Sequence, residues 1–297
     1  TVDGLNCRPG LVYIDATLGG GGHSKEIVQR ILPDGRLIGF EVDPVAIEAA
    51  KKTLQMWQEN VTIVNASYTK IPEMLQSLNI EKITGGIVFD LGASYFQLTS
   101  AQKGFSFLKN SELDMRFDPT NELTAYDVVN SYSEEELARI FSEYGEERFS
   151  KRIAKRIIYY RKTKSIDTTV ELADIVKASV PAVKSRIHPA TRVFQAIRIE
   201  VNNELENIKN TLKDVITIME KDARISIISF HSLEDRIVKR LFKEYSSSCK
   251  CPPHQMICNC EPPQLEVITR RPITASEEEV RNNPPSRSAK LRIARKV

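Results

Sequence analysis

The chain contains no long apolar segment. No stretch approaches the roughly 18 uninterrupted apolar residues that a membrane-spanning helix requires. The opening residues Thr1–Gly4 lack the basic and apolar regions of a secretory signal peptide. Internal repeats and low-complexity tracts are absent too. These absences predict a cytoplasmic globular protein, and its 297 residues suffice for one large domain or two smaller ones.

Cysteine is scarce, and four of the five cysteines form two closely spaced pairs. In a reducing compartment, the pairs Cys249/Cys251 and Cys258/Cys260 favour a metal site over a disulfide framework. The Cys-x-Cys spacing is tighter, however, than the usual spacing of a zinc site. The alternative is a loop of reduced surface thiols that neighbouring prolines keep out of regular structure. Both interpretations stay open on the sequence alone.

The net charge is only +3, but the basic residues are clustered, which matters more for partners than their sum. One cluster comprises Arg148, Lys151, Arg152, Lys155, Arg156, Arg161, Lys162 and Lys164. A second lies between Arg281 and Val297, a segment without aspartate or glutamate. Each alone is consistent with a solvated helix face or tail. Two such clusters in one chain indicate a polyanionic substrate.

Four consecutive glycines lie in the segment Asp15–His23, directly after the apolar run Val12–Ile14. A strand that ends in an acid and continues into glycines lets the backbone pass close to a ligand, and the helix predicted from Ser24 points free N–H groups the same way. A dinucleotide fingerprint, Gly-x-Gly-x-x-Gly, would need its third glycine where Ser24 stands. The loop therefore predicts a nucleoside cofactor and makes a nicotinamide-dependent dehydrogenase the weakest alternative.

Carboxylates end three of the predicted strands. Glu41 follows Gly21 by 20 residues, where a ribose-binding acid is expected, whereas Asp43 is better explained as a helix cap. Asp90 ends the fourth predicted strand. Ligands bind outside the carboxyl ends of strands in an open α/β sheet, so we expect Asp15, Glu41 and Asp90 to face one crevice. The alternative is that the three acids are unrelated helix caps.

Short β-rich runs alternate with helical patterns as far as residue 97, which predicts an α/β fold with a mostly parallel sheet and helices on both faces. From about residue 122 to 184 the pattern is helical, with capping boxes at Ser133–Glu136 and Thr168–Glu171. An all-helical domain is therefore predicted as an insertion.

Apolar residues from Val193 to Met219 recur at spacings of three and four and predict one long amphipathic helix. A fifth strand at Arg224–Phe230 and two last strands near residues 265–269 and 291–294 would complete the sheet. The sequence thus predicts two domains: a cofactor-binding domain, 1–120 and 200–297, and an inserted helical domain, 121–199.

The segment after the fifth predicted strand combines aromatic and polar groups. Phe230 and His231 offer stacking surface, while Ser232, Asp235 and Arg236 offer hydrogen-bonding groups, a combination that suits a planar base. For a histidine just past a strand, a capping or packing role is the alternative. We predict that Phe230, His231, Ser232 and Asp235 contact the substrate.

Nine short segments, spread in order along the chain, match one protein family. They are Asp15–His23, Asp90–Gly92, Gln97–Leu98, Gly104–Phe107, Leu113–Arg116, Tyr144–Glu147, His188–Arg192, Phe194–Arg198 and Ser229–Arg236. With these segments the chain resembles the bacterial small-subunit (16S) ribosomal RNA cytosine-N4 methyltransferases. The similarity runs from about Gly10 to Lys296 and is highly specific.

This resemblance implies S-adenosylmethionine as the cofactor, a class I methyltransferase (Rossmann-like) sheet, and N4 of a cytidine in the decoding region of 16S rRNA as the methyl acceptor. The family's cofactor contacts fall on Gly21, Gly22, His23, Glu41, Tyr68, Asp90 and Gln97. The chain departs from the family at Glu41, which keeps a carboxylate where aspartate is commoner. It also departs at Ala93, Tyr95 and Phe96, which alter the segment between Asp90 and Gln97.

A sulfonium methyl group is already activated, so the main task of such an enzyme is to hold the cytosine amine in line, about 3 to 3.5 Å from that carbon. The amine is weakly nucleophilic, and Asp90 is the predicted catalytic acceptor for one of its hydrogens. Arg152, Lys155 and Arg156 in the helical domain, together with the basic tail, are predicted to bind RNA phosphates.

The predicted partner is 16S rRNA or the small ribosomal subunit, with no membrane partner. A homodimer is compatible with the sequence, which does not fix the oligomeric state. Two alternatives stay open. One is a methyltransferase for another polyanion or for protein, against which the Phe230 and His231 segment argues. The other is an inactive or structural RNA-binding or ribosome-assembly protein with the same fold.

Overall fold

A computed structural model describes residues 1–93, 103–181, 188–247 and 262–297. The chain divides into two compact units, one formed by residues 1–92 and 205–297 and the other by residues 93–204. Within the described ranges, every helix is too short or too polar to cross a bilayer.

The first unit is built on one sheet of mixed direction. Its strands are β1 (Val12–Asp15), β2 (Arg36–Glu41), β3 (Val61–Asn65), β4 (Gly86–Asp90), β5 (Arg224–Ser229), β6 (Leu265–Val267), β7 (Ile273–Thr274) and β8 (Lys290–Lys296). The strand order is β3-β2-β1-β4-β5-β8-β6, and β7 also pairs with β8. The strands from β3 to β5 in this order are parallel, while β8 is antiparallel to its partners. The predicted α/β fold with a mostly parallel sheet is confirmed.

Helices cover both faces of this sheet. They are α1 (Val2–Leu5), α2 (Gly22–Ile31), α3 (Pro44–Thr53) and α4 (Ile71–Ser77), followed later in the chain by α10 (Glu204–Ile218) and α11 (Ser232–Ser246). A further helix, α12 (Glu277–Asn282), buries no residue. Successive strand residues point to opposite faces, so Tyr13 belongs to the core that includes Ile27 of α2, and Ile14 belongs to the core that includes Leu75 of α4 and Leu212 of α10. Nearly continuous apolar strands are typical of a sheet buried on both sides.

The strand order reverses beside β1. From β1 the chain proceeds to β2 and β3 on one side, then crosses to β4 and β5 on the other. Ligands of open α/β sheets bind at such a switch point, outside the carboxyl ends of the strands. Asp15 and Asp90 end the two strands that flank it.

The second unit is helical in the residues described. Its helices are α5 (Ala125–Ser131), α6 (Glu134–Glu143), α7 (Ser150–Arg161), α8 (Thr169–Ser179) and α9 (Ala190–Asn202). Their apolar faces share one core, in which Phe141, Ile153 and Val193 are buried. Both predicted capping boxes are present, at Ser133 of α6 and Thr168 of α8.

Residues 103–120, which the sequence analysis assigned to the cofactor-binding domain, pack with these helices. Leu113 and Met115 are buried in the helical core. The side chain of Asn202 on α9 accepts a hydrogen bond from the N–H of Phe117 at 2.7 Å and donates one to the carbonyl of Met115 at 2.8 Å. Residues 103–120 contain little regular secondary structure, so only tertiary contacts attach them to the helical unit. The spacing of apolar residues in the sequence does not reveal such contacts.

The prediction of one long helix over Val193–Met219 is wrong. The chain forms two helices, α9 and α10, because Asn203 between them adopts a left-handed conformation with φ of 48°. Asparagine tolerates this conformation better than most residues. The apolar repeat continues through the break, which is why spacing alone did not reveal it.

Candidate active site

The glycine segment forms a tight turn between β1 and α2. Gly21 is the residue before the helix and has φ of 84°, a conformation that favours glycine. Asp15 does not face an open crevice: it is 1% exposed and accepts hydrogen bonds from the Ser24 hydroxyl at 2.7 Å and the Thr17 N–H at 3.2 Å. Burial raises its pKa. Asp15 therefore fastens the start of α2 to the end of β1.

Thr17 is a site residue that the sequence analysis missed. Its hydroxyl accepts a hydrogen bond from the backbone N–H of Asp90 at 2.6 Å and so joins the glycine loop to the end of β4. The sequence offered one signal for Thr17: it lies between the acid that ends β1 and the glycines, two residues after that acid. A hydroxyl there gives no indication of which strand it will contact.

Glu41 holds the glycine loop from the other side. One carboxylate oxygen accepts a hydrogen bond from the N–H of Gly19 at 2.9 Å, and the other accepts from Val42 and Asp43, both at 2.9 Å. Burial raises the pKa of Glu41, although these three hydrogen bonds lower it in part. A carboxylate offers about four acceptor positions, so one remains for a ligand beside the three that are used. Asp43 caps α3, as predicted.

Asp90 and His23 lie side by side at the switch point. His23 Nδ1 is 4.0 Å from Asp90 Oδ2, and each side chain is about a third exposed, 31% and 36%. The other carboxylate oxygen, Oδ1, is buried, and none of the described residues forms a hydrogen bond with it. Desolvation raises the pKa of Asp90 to about 6; the neighbouring His23 lowers it in part, while Asp15 and Glu234 raise it further. An unsatisfied buried acceptor with a raised pKa is typical of a functional site.

Two further predicted cofactor contacts have different outcomes. Tyr68 begins a short 3-10 turn after β3 and packs edge-to-face on Phe89, with ring centroids 5.9 Å apart. Its place after the third strand is the one that the resemblance implied. Gln97 lies outside the described residues, as do Tyr95 and Phe96.

His231 caps helix α11. Glu234 is fully buried and accepts hydrogen bonds from the N–H groups of Phe230 at 2.8 Å and His231 at 3.2 Å, while His231 Nδ1 accepts from the Glu234 N–H at 3.4 Å. The imidazole is 11% exposed, and its Nε2 is 3.1 Å from Glu234 Oε1. The structure thus places His231 in the capping role that the sequence analysis weighed as the alternative. Ser232 is the first residue of α11.

Phe230 remains available next to Asp90. It is half-buried, and a Cβ atom on Gly92 would lie 3.8 Å from its ring. Gly92 has φ of 104°, so the chain turns sharply just after Asp90 and passes the aromatic ring. Phe230 is therefore a member of the predicted base-binding set whose ring lies beside the turn that follows β4.

Asp235 forms a nearly buried ion pair. Its carboxylate accepts two hydrogen bonds from Arg292 of β8, at 2.6 and 3.2 Å, and Lys290 approaches to 3.7 Å. Burial alone would raise the pKa of Asp235, but the hydrogen bonds from Arg292 lower it below the ordinary value. The pair joins α11 to β8, so its geometry favours a structural role over the predicted contact with a base.

We expect Asp235→Asn to lower the free energy of unfolding by about 3 kcal/mol, because it leaves Arg292 buried without a counter-charge. Urea unfolding measures the change. Asp222→Asn is the matched control, since Asp222 pairs with Arg295 on the exposed surface and should change stability little. If Asp235→Asn instead kept full stability and weakened RNA binding, the predicted substrate contact would be right.

The carboxy-terminal basic cluster is largely used within the fold. Arg292 pairs with Asp235, Arg295 pairs with Asp222 and Glu266, and Lys296 donates to the carbonyl of Ile216. These contacts hold β8 in place. The predicted binding of RNA phosphates by the whole tail would compete with these ion pairs and hydrogen bonds, because β8 pairs with strands on both of its sides.

The basic cluster on α7 is different. Arg161 donates to the backbone carbonyls of Val129 and Tyr132, and Lys164 pairs with Glu171 at 2.9 Å. The four other cations within α7 itself are exposed, and no described carboxylate forms an ion pair with them. These four are Lys151, Arg152, Lys155 and Arg156. The predicted RNA-binding residues are thus accessible cations.

The four clustered cysteines, Cys249, Cys251, Cys258 and Cys260, lie outside the described residues. Whether they bind zinc stays a prediction.

A family model and the most similar curated proteins assign this chain to the same family. The MraW methylase family model matches residues 1–297. Ribosomal RNA small subunit methyltransferase H of Clostridium botulinum (strain Loch Maree / Type A3) is 50% identical over 299 residues, covering 100% of this chain and 96% of that protein. The protein of the same name from Caldicellulosiruptor bescii is 50% identical over 298 residues, with the same coverage.

Among solved structures, an rRNA methylase from Streptococcus thermophilus matches with a TM-score of 0.45 and 8% identity, covering 100% of this chain and 93% of that chain. The family assignment rests on the sequences, which match from end to end. The chain belongs to the MraW methylase family.

Proposed function

We propose that this protein is an S-adenosylmethionine-dependent methyltransferase that methylates N4 of a cytidine in the decoding region of 16S rRNA. The observation that carries the proposal is the Asp90 carboxylate at the switch point, with a buried Oδ1 that no described residue satisfies. Relatives that are 50% identical over 96% of their length, and are named ribosomal RNA small subunit methyltransferase H, support RNA as the acceptor.

The residues at the switch point fit S-adenosylmethionine. A Cβ added to Gly22 would meet no described atom within 4 Å, so the loop is open on that side. The first N–H groups of α2, at Gly22 and His23, suit a carboxylate, and the free acceptor position of Glu41 suits a ribose hydroxyl. Gly21, Tyr68, Asp90 and Gln97 would complete the contacts. When bound, the cofactor supplies an activated methyl group.

The chain's own contribution is to orient the acceptor amine and take its proton. A cytosine N4 amine has two hydrogens and a lone pair delocalised into the ring. If Asp90 accepts a hydrogen bond from one of these hydrogens, the amine is held outward and positive charge that develops on nitrogen is stabilised. Phe230, next to the Gly92 turn, would stack on the base. His23, whose Nδ1 is 4.0 Å from Asp90 Oδ2, lies beside this acceptor.

Glu41 gives a prediction about the cofactor. We expect Glu41→Gln to raise the dissociation constant for S-adenosylmethionine about tenfold or more, since an amide nitrogen cannot accept the hydrogen bonds that now fix Gly19 or Asp43. Isothermal titration calorimetry measures this dissociation constant. Glu48→Gln, an exposed change on α3, is the control and should leave binding unchanged. Equal affinity in both variants would contradict the role of Glu41.

Phosphates of the RNA would be bound by the exposed cations of α7, among them Arg152, Lys155 and Arg156. Each such contact adds affinity that does not depend on sequence and falls with salt. Such phosphate contacts position the RNA but do not distinguish its bases, so the target base would be selected at the active site.

Transfer of a labelled methyl group from S-adenosylmethionine to RNA tests the proposal. The protein should label 16S rRNA or the small ribosomal subunit, and Asp90→Asn should label it far more slowly. Binding of RNA without any transfer would favour the alternative, an RNA-binding or ribosome-assembly protein. Labelling of protein in place of RNA would favour a different methyltransferase.

Three finer predictions accompany this function. A cytoplasmic location follows from the ribosomal substrate. A homodimer is tested by light scattering in solution, and zinc at the cysteine pairs by metal analysis of the purified protein.

A further inference from the structure

Helix α7 carries three equally spaced pairs of exposed residues. The pairs are Lys151/Arg152, Lys155/Arg156 and Tyr159/Tyr160, each four residues after the one before. Four residues are about one helical turn, or roughly 6 Å along the axis. Two basic pairs are thus followed, one turn further on, by an aromatic pair. We refer to these six residues as the α7 face.

The buried side of α7 explains the helix but not this face. Ile153, Ala154 and Ile157 are fully buried in the helical core, so they account for folding. Tyr159, by contrast, is 70% exposed, and Tyr160 is 43% exposed. A large aromatic ring in water costs hydrophobic free energy, which makes exposed aromatic residues amid charges typical of binding surfaces.

The two tyrosines differ in their surroundings. Tyr160 lies under the Arg156 guanidinium, 5.6 Å from ring centroid to Cζ, and its ring is 6.3 Å from that of Tyr159 at an angle of 83°. Tyr159 follows Lys155 by four residues and Arg152 by seven, so all three project from one side of the helix. Its ring is therefore the exposed one, with cations along the same side.

The charge of the α7 face restricts its partner. Helix α7 contains no acidic residue, and the four cations of the face lack ion pairs with the described carboxylates. The partner must be anionic. The exposed rings are confined to a single turn, too small an apolar area for insertion into a bilayer, whereas a nucleic acid offers both phosphates and planar bases.

A continuous RNA duplex would not use the aromatic turn. Stacked and paired bases do not present their faces, whereas unpaired nucleotides stack on exposed aromatic rings. We infer that the α7 face binds an unpaired nucleotide of the RNA substrate, with its base stacked on Tyr159 and the neighbouring phosphates on the two basic pairs. This inference rests on the proposed function, because it takes RNA as the substrate.

The test compares Tyr159→Ala with Tyr159→Phe in the full chain. Dissociation constants are measured over a salt series for a mixed-sequence single-stranded RNA and for the blunt duplex made from it. Tyr126→Ala, which removes another exposed tyrosine of the same unit, is the matched control. Tyr159→Ala should weaken binding of the single strand by about 5- to 150-fold, the range for loss of one base–aromatic stack.

Duplex binding and the salt dependence should stay unchanged in Tyr159→Ala, because no charge is removed. Tyr159→Phe should bind like the original protein, since the ring is kept. Equal loss for single strand and duplex, an unaffected Tyr159→Ala variant, or a Tyr159→Phe variant as weak as the alanine variant would each overturn the inference. So would equal competition by polyglutamate, which offers charge without bases.

Methyl transfer by the original protein is measured in parallel. If it transfers methyl groups to rRNA but Tyr159→Ala shows no selective loss of single-strand binding (the Tyr159 pattern), only the stacking site is refuted. If the Tyr159 pattern is present without any methyl transfer, the proposed function fails and the binding site stands.

Discussion

Replacing Asp90 with asparagine is expected to lower the single-turnover rate of methyl transfer by about 10²- to 10⁴-fold at saturating cofactor, the usual contribution of a positioned acid or base. Asparagine keeps the size of the side chain and an acceptor oxygen but cannot take a proton. Rapid-quench measurement of labelled methyl transfer to rRNA gives the rate. Normal transfer by the variant would remove Asp90 from the chemistry.

The same carboxylate gives the reaction a pH dependence. Since the pKa of Asp90 is raised to about 6, a carboxylate acceptor is largely protonated below this pH and ionised above it. The single-turnover rate should therefore rise with pH through about 6. The Asp90→Asn variant should lack this rise, which distinguishes loss of a titrating acceptor from loss of shape.

Stability should change in the opposite direction from activity. The folded pKa of Asp90 lies above the ordinary value of 3.8, so the folded state holds an extra proton between these values, and the associated stability is lost as the pH rises through about 6. At pH 8 the ionised carboxylate thus costs stability, and Asp90→Asn should melt at the same or a higher temperature. Because the side chain is partly exposed, the gain should be about 1 kcal/mol or less. A lower melting temperature would indicate a structural role.

Reversing the charges of Arg152, Lys155 and Arg156 to glutamate should weaken RNA binding by about 10²- to 10³-fold near physiological salt. Three phosphate contacts are lost, and three repulsive charges replace them. The slope of the logarithm of affinity against that of salt concentration should fall by about 2 to 3 for the same reason. Fluorescence anisotropy with labelled rRNA fragments measures both quantities.

A matched control separates this surface from net charge. Lys239, Arg240 and Lys243 are exposed on α11, and their reversal to glutamate changes the net charge by the same amount. That variant should bind RNA far better than the α7 variant, and both should bind S-adenosylmethionine normally. Equal loss of RNA binding in the two variants would indicate a general charge effect. Loss of cofactor binding in the α7 variant would indicate unfolding.

The fold could be predicted well from local sequence, because its signals are local. Alternating strand and helix patterns, the Asp43 cap and the capping boxes at Ser133 and Thr168 each depend on a few neighbouring residues. The break at Asn203 escaped detection because the apolar repeat is continuous across it. The two-residue strand β7 escaped because it is short and exposed.

The site was harder to predict, because its contacts join residues far apart in the chain. The acids at the strand ends were identifiable, but their partners were not. Asp15 is used by Ser24, Glu41 fixes Gly19, and Asp235 is taken by Arg292. Of the strand-end acids, Asp90 is the one with a buried oxygen, Oδ1, that accepts no hydrogen bond from the described residues. Which of several similar carboxylates is free for chemistry therefore depends on tertiary hydrogen bonds.

The identity of the methylated nucleoside tests the central claim most directly. Small-subunit RNA from cells that lack the protein is incubated with the purified protein and S-adenosylmethionine, then digested to nucleosides and mapped by mass spectrometry. We predict N4-methylated cytidine at a single position in the decoding region of 16S rRNA. A methyl group on ring carbon, on ribose or on another base, or RNA that is bound and left unmethylated, would contradict the account.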